Sequence, residues 1–156
     1  MACGKSDTGD GLPSLSLDSY EMSLDSNGKS DALTLKLNYA DSDGDIGYRE
    51  EDTIPPFDFQ SPYFFNLHVN FYSVNGGQKT YYLNGTDTLH FSQRLQSITP
   101  EGKYKGISGT MDVRIGFDLL RILGHNPDNA QFEVWLNDRA LHRTSTVTTP
   151  VIDLDL

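Results

Sequence analysis

The stretch YADSDGDIGYREED, residues 39–52, places six acidic side chains in fourteen positions. Three of them alternate as Asp41, Asp43 and Asp45, with Gly44 and Gly47 interleaved. Alternating carboxylates on a turning loop are the means by which proteins hold calcium, a hard cation that takes about six to eight oxygen ligands. The EF-hand version of that loop needs Gly at its sixth position and Glu at its twelfth. Counted from Asp41, those positions hold Ile46 and Asp52, and the glycines stand at four and seven. The pattern is therefore a general Asp-x-Asp-Gly-Asp-x-Gly loop with three states open to it: bound Ca2+, pairing with Arg or Lys and backbone N–H groups, or a solvated loop. Without partners, each pair of exposed carboxylates repels by about 1 kcal/mol at ~4 Å in water, and more where solvent is excluded.

Other chemistry is sparse. The chain has no Gly-x-Ser-x-Gly elbow, no glycine-rich phosphate loop before a helix and no His-Glu-x-x-His, so the expectation is a protein that is not an enzyme. His68, His90, His125 and His142 are scattered, with no second histidine at ligand spacing, and surface or turn roles are expected of them. Glu50, Glu51 and Asp52 read as a solvated run, because a glycosidase pair must flank a bond from opposite sides. Asn84-Gly85-Thr86 matches a glycosylation sequon, but Asn-Gly is a hairpin turn first. Trp135 either covers the edge of the core or joins an exposed aromatic platform. It and Tyr48 are the candidate ligand contacts.

The elements that must position these residues are strands. In ALTLKLNYA the residues Leu33, Leu35, Leu37 and Tyr39 alternate with polar ones, the period-two signature of a half-buried strand. FFNLHVNFYSV, GTMDVRIGF, AQFEVWLND and RTSTVTTPVIDLDL follow suit, and weaker strands are expected near residues 14–22, 79–83 and 88–92. Asn27-Gly28, Asn75-Gly76-Gly77 and Asn84-Gly85 supply hairpin turns. FDLLRILG breaks the alternation and predicts a short helical crossover near 117–123, ended by Gly124. The connection over 46–61 carries Pro55-Pro56 and cannot be regular. The predicted fold is all-β: an antiparallel Ig-like β-sandwich of about seven to eight strands over residues 14–156. In such a sandwich the loop after an early strand leaves at the same end as the loop between the last two strands. The latter, NDRALHRTS, begins Asn137-Asp138. Asp138 thus joins Asp41, Asp43 and Asp45 as a candidate calcium ligand, with Arg139 as the alternative partner.

At 156 residues the chain is long enough for one well-buried domain. Its 22 acidic and 12 basic residues give a net charge of -10, which argues against nucleic acid and anionic membrane surfaces as partners. The longest apolar runs are far short of the ~20 residues of a membrane span. The single cysteine, Cys3, excludes an internal disulfide. It lies in a small, polar opening, MACGKSDTGDGLPS, so residues 1–13 are expected to be a disordered tether. Cys3 is either an incidental thiol or the cysteine of a bacterial lipobox, lipidated after a small residue, Ala2. The second reading supposes that a signal peptide has already been removed.

YADSDGDIGYREED, ITPEGKYKGISGTMDVRIG and FEVWLNDRALHRTSTVTTPVIDL, in that order, resemble an uncharacterised family of small Bacteroidetes lipoproteins with an Ig-like domain. Members share the Asp-Gly-Asp-x-Gly loop, an Asp-Arg-Ala segment and a closing Val-x-Thr-Pro strand. The resemblance implies acylation at Cys3 and location at the bacterial outer membrane on the cell surface, anchored only by lipid. The function expected is a binding or accessory subunit that recognises a protein or glycan through loops at one pole. A carbohydrate-binding module and a purely structural subunit of an outer-membrane complex are the alternatives.

Overall fold

The computed structural model describes residues 11–98 and 106–156. Cys3, with most of the predicted tether, lies outside the described residues. Within them the chain is all-β with a single short helix. One antiparallel sheet has the order β1 (Ser14–Leu24), β2 (Ser30–Asp41), β7 (Ile107–Gly116). A second is built on β3 (Leu67–Asn75) and β8 (Asn129–Leu136), with β4 (Gln78–Thr80) beyond β3. The closing pair β9 (Val147–Thr148) and β10 (Ile152–Asp153) lies along the other edge of β8. β5 (Leu83–Asn84) and β6 (Asp87–Thr88) make a small separate hairpin.

The two main sheets share one apolar core because their alternating strands turn the same kind of face inward. Leu33, Leu35 and Leu37 of β2, Val113 and Ile115 of β7, Leu67, Val69 and Phe71 of β3, and Phe132, Val134 and Leu136 of β8 are all buried in one cluster. Phe71 and Phe132 meet edge to face, with ring centroids 5.5 Å apart, near the middle of that core. Burying such side chains contributes about 1.5–3 kcal/mol each before entropy is charged against them.

Three strands differ from the sequence expectation, each for a local reason. β1 is long rather than weak: a bulge between Leu17 and Ser19 shifts its register, so the residues packed on the core change from Leu15 and Leu17 to Met22, while Tyr20, two residues before it, stays 42% exposed. That parity switch hides the alternation. The closing segment is one edge interrupted at Pro150, which lacks a backbone donor. Its pairing with β8 slips by one residue between Val147–Thr148 and Ile152–Asp153, and buried Thr149 bridges the gap through hydrogen bonds to Phe132. The 88–92 strand pairs mostly through isolated bridges to β3, His90 with Asn70 and Gln93 with Leu67.

The predicted crossover is α1 (Asp118–Ile122), which buries Leu120 and is followed by Gly124 at φ 72°. It carries the chain from the first sheet to the second, and Arg121 ties it to the Ser30 carbonyl at the start of β2. At the opposite end of β2 the chain leaves through the acidic loop and returns at Leu67, which pairs with Leu136, the last residue of β8. The loops 42–66 and 137–146 therefore emerge at one pole.

Candidate functional site

Asp41 ends β2 and is only 3% exposed. Its Oδ2 accepts the Asp45 N–H at 3.0 Å, closing the turn, and Gly44 supplies the left-handed residue at φ 70°. One carboxylate oxygen each from Asp41, Asp43 and Asp45 lie within 4.8 Å of one another. Asp43 is exposed and Asp45 half-buried. Burial, with Asp43 and Asp45 as like charges, pushes the Asp41 carboxyl up to about 6. Asp45 is raised too, by burial and by the charges of Asp138 and Asp43. Asp41 Oδ1 and Asp45 Oδ1 are buried and have no hydrogen-bond partner among the described residues.

The loop after β8 docks against this turn. Asp45 accepts the Ala140 N–H on Oδ2 and the Arg139 N–H on its carbonyl, both at 3.0 Å. Asp138 is brought to the same pole, fully buried. Its carboxylate is engaged by His142, whose backbone N–H donates to Oδ1 at 2.7 Å and whose Nδ1 stands 3.0 Å from Oδ2. The four carboxylates therefore gather at one end, but Asp138 stands outside the tight trio and already has a partner. Arg139 does not neutralise the trio. Its guanidinium turns to Asp52 instead.

Asp52 corrects the reading of Glu50, Glu51 and Asp52 as a uniformly solvated run. Glu50 and Glu51 are exposed, whereas Asp52 is buried. Tyr48 is likewise not a surface contact. It is 0% exposed, its ring packed on Phe57 at 4.6 Å and under the Arg94 guanidinium at 4.7 Å. Burial pushes its hydroxyl up to about 12 against the opposing pull of Arg94.

Arg94 organises the irregular connection. It donates to the carbonyls of Asp52, Phe57 and Phe64 and lies over the Phe64 ring at 5.0 Å. Backbone groups that regular structure would pair are paired by this side chain instead. Beside it opens a cleft of about 340 Å³ lined by Arg49, Asp52, Phe57, Phe59, Phe64 and Arg94, among others. Phe59 is 82% exposed. Sequence reasoning missed this cleft. The available signal was IPPFDFQSPYFF, where five aromatics crowd a segment that cannot be a strand.

Trp135 stands on the outer face of β8, half-buried. Cross-strand His68 stacks on it at 4.8 Å and 4°, while Arg143, from the opposite side of β8, lies over its ring at 4.3 Å. Both faces of the indole are therefore covered. Tyr72, Tyr81, Lys79 and Glu133 form a second polar cluster on the same face, with the Tyr72 hydroxyl donating to Glu133 at 2.6 Å. No helix among the described residues is long and apolar enough to cross a membrane.

No family model, curated protein or solved structure matches this chain.

Proposed function

We propose that this chain is a non-enzymatic binding or accessory module of a bacterial cell envelope. In this reading it is an Ig-like β-sandwich lipid-anchored through Cys3 to the outer membrane, at the cell surface, and it recognises a protein or glycan through the loops of one pole. Two antiparallel sheets over a common core with loops gathered at one end support the Ig-like assignment, and the resemblance of the sequence motifs to those of the Bacteroidetes lipoproteins points the same way. The observation that carries the recognition reading is the aromatic, two-arginine cleft at that pole. A concave site mixing exposed aromatic area with fixed charges suits a peptide or saccharide, and binding residues concentrate on loops held by a rigid scaffold. The alternative of sugar stacking on Trp135 gains no support, since His68 and Arg143 occupy its faces.

The test is binding of the purified protein to a glycan array and to solubilised outer-membrane proteins, compared with Phe59→Ala and Arg49→Ala. Binding lost in both variants is expected. Binding that survives both overturns the cleft as the recognition site, and no binding to either set favours the purely structural subunit. Palmitate incorporation into the precursor, abolished by Cys3→Ser, is the expected result for the anchor, and an unlabelled precursor rules it out.

A further inference from the structure

We propose that Asp41, Asp43 and Asp45 form a calcium site that fastens the end of β2 to the 138–143 loop, a role separate from whatever the cleft recognises. An acidic cluster alone is often only a solvated face, and two further observations make this one different. Asp41 is 97% removed from solvent, as its 3% exposure states, and one of its two carboxylate oxygens has no hydrogen-bond partner among the described residues. The Oδ1 of Asp45 is buried and orphaned in the same way. A carboxylate oxygen stripped of water and given no donor is costly, and native proteins keep such atoms where an ion or ordered water completes them.

The nearby cations do not complete them. Among the described residues no Lys, Arg or His nitrogen forms an ion pair with Asp41, Asp43 or Asp45, and the Arg139 guanidinium is committed to Asp52. The second oxygens of Asp41 and Asp45 are held by backbone N–H groups of Asp45 and Ala140. These two carboxylates are thus fixed in place with one free oxygen each, while Asp43 is exposed and can close over the ion from the solvent side.

The donor set selects the cation. All three side chains offer oxygen only, which favours Ca2+ or Mg2+ over Zn2+. Oxygens bound to calcium at about 2.3–2.6 Å stand up to about 5 Å apart across the ion, whereas magnesium at about 2.0–2.1 Å draws them to about 4 Å. The span of up to 4.8 Å fits the larger ion, with water and main-chain carbonyls completing the shell.

The experiment is isothermal titration of the chelator-treated full chain with CaCl2 and with MgCl2, paired with thermal melts. Calcium is expected to bind at one site and to raise the melting temperature by about 5–10 °C at a hundredfold excess over Kd, with magnesium at least tenfold weaker. Asp43→Asn, at an exposed position, should keep the melting temperature of the chelated protein and weaken calcium at least tenfold. Asp41→Asn should abolish the calcium shift while the chelated protein becomes no less stable, because a buried charge has been removed. No heat and no shift at millimolar calcium, or a calcium shift unchanged in Asp43→Asn, overturns the site and leaves a solvated acidic cluster.

Discussion

Arg139 grips Asp52 at two points, Nε to Oδ2 at 3.0 Å and Nη2 to Oδ1 at 2.7 Å. The same residue gives its backbone N–H to the Asp45 carbonyl at 3.0 Å. One side chain and one peptide group thereby join the loop after β8 to a stretch far from it in sequence, residues 45–52, which carries both the acidic turn and the wall of the cleft. Planar bidentate pairing of this kind is the geometry in which guanidinium outperforms ammonium.

Asp52→Asn or Arg139→Lys should therefore loosen the whole pole. Asp52 is 7% exposed at its side chain and Arg139 35%, so the loss is expected at about 1–3 kcal/mol, below that of a fully buried pair. The sign with pH is fixed. Arg139 above all, with the Arg49 N–H, holds the Asp52 carboxyl below its ordinary 3.8 against the effect of burial. The stabilisation is present above pH 3.8 and is lost as pH falls through the lower folded value. Denaturant unfolding of wild type and Asp52→Asn should differ by a constant amount from pH 5 to 7 and converge in stronger acid. A gap that persists unchanged at the lowest pH at which both fold contradicts the pair as its source.

The outer face of β8 gives a second prediction through the only tryptophan of the chain. Arg143→Ala uncovers one face of Trp135, so acrylamide quenching should rise and stability fall by about 0.5–1 kcal/mol. Burial, then the charges of Arg143 and His90, hold His68 below its ordinary 6.5. A histidine kept neutral in the fold binds its proton more readily when unfolded, so stability falls as pH drops from 6.5 towards the folded value. Melts of wild type against His68→Gln should show that extra loss between pH 7.5 and 5.5, and Arg143→Ala should shrink it. Parallel pH curves for all three proteins would dismiss the coupling.

The central core follows the alternation closely, which makes its energetics simple to state. Phe132→Ala removes a ring that meets Phe71 and Phe91 at 5.5 and 6.4 Å and should cost about 3–5 kcal/mol in urea unfolding. Ile122→Ala, at a side chain 79% exposed on α1, should change stability by no more than about 0.5 kcal/mol.

What was legible in the sequence was whatever repeats with a fixed period. Leu33, Leu35 and Leu37, or Phe132, Val134 and Leu136, announce their strand and its buried face because neighbours two apart must share an environment. The same alternation fails across the bulge between Leu17 and Ser19 and at Pro150, where one residue changes the face of all that follow. The pole was legible only in part. Strand topology placed Asp138 at the same end as Asp41, but it could not show that His142 holds Asp138 or that Arg139 reaches past the trio to Asp52. Nor could it show that Tyr48 lies underneath the loop and not on it. Those outcomes depend on side-chain direction in irregular backbone, where no periodicity constrains it.

Gly47 shows what that irregular backbone demands of a single residue. In the calcium-loop pattern it is merely a glycine in the wrong place. In the structure it has φ 90°, and a Cβ there would stand 2.1 Å from the Gln96 carbonyl oxygen and 2.7 Å from the Ser97 Cα. The close approach lets the 95–98 segment run beside the acidic loop, where the Tyr48 N–H donates to the Leu95 carbonyl at 2.9 Å and the Ser97 N–H to the Tyr48 carbonyl at 2.8 Å. Gly28 makes a matched control: its φ is 78° in the β1–β2 hairpin, but nothing stands within 4 Å of an added Cβ. Gly28→Ala should cost only the left-handed backbone penalty, about 1–2 kcal/mol. Gly47→Ala adds a backbone clash that no rotamer relieves, so its cost should exceed that of Gly28→Ala by at least about 2 kcal/mol. Amide exchange should quicken at Tyr48 and Ser97 in the Gly47 variant while the Leu33 to Leu37 amides of β2 keep their relative protection. Equal costs for the two substitutions would mean that the 95–98 segment can move aside freely, and that the acidic loop does not rely on it for support.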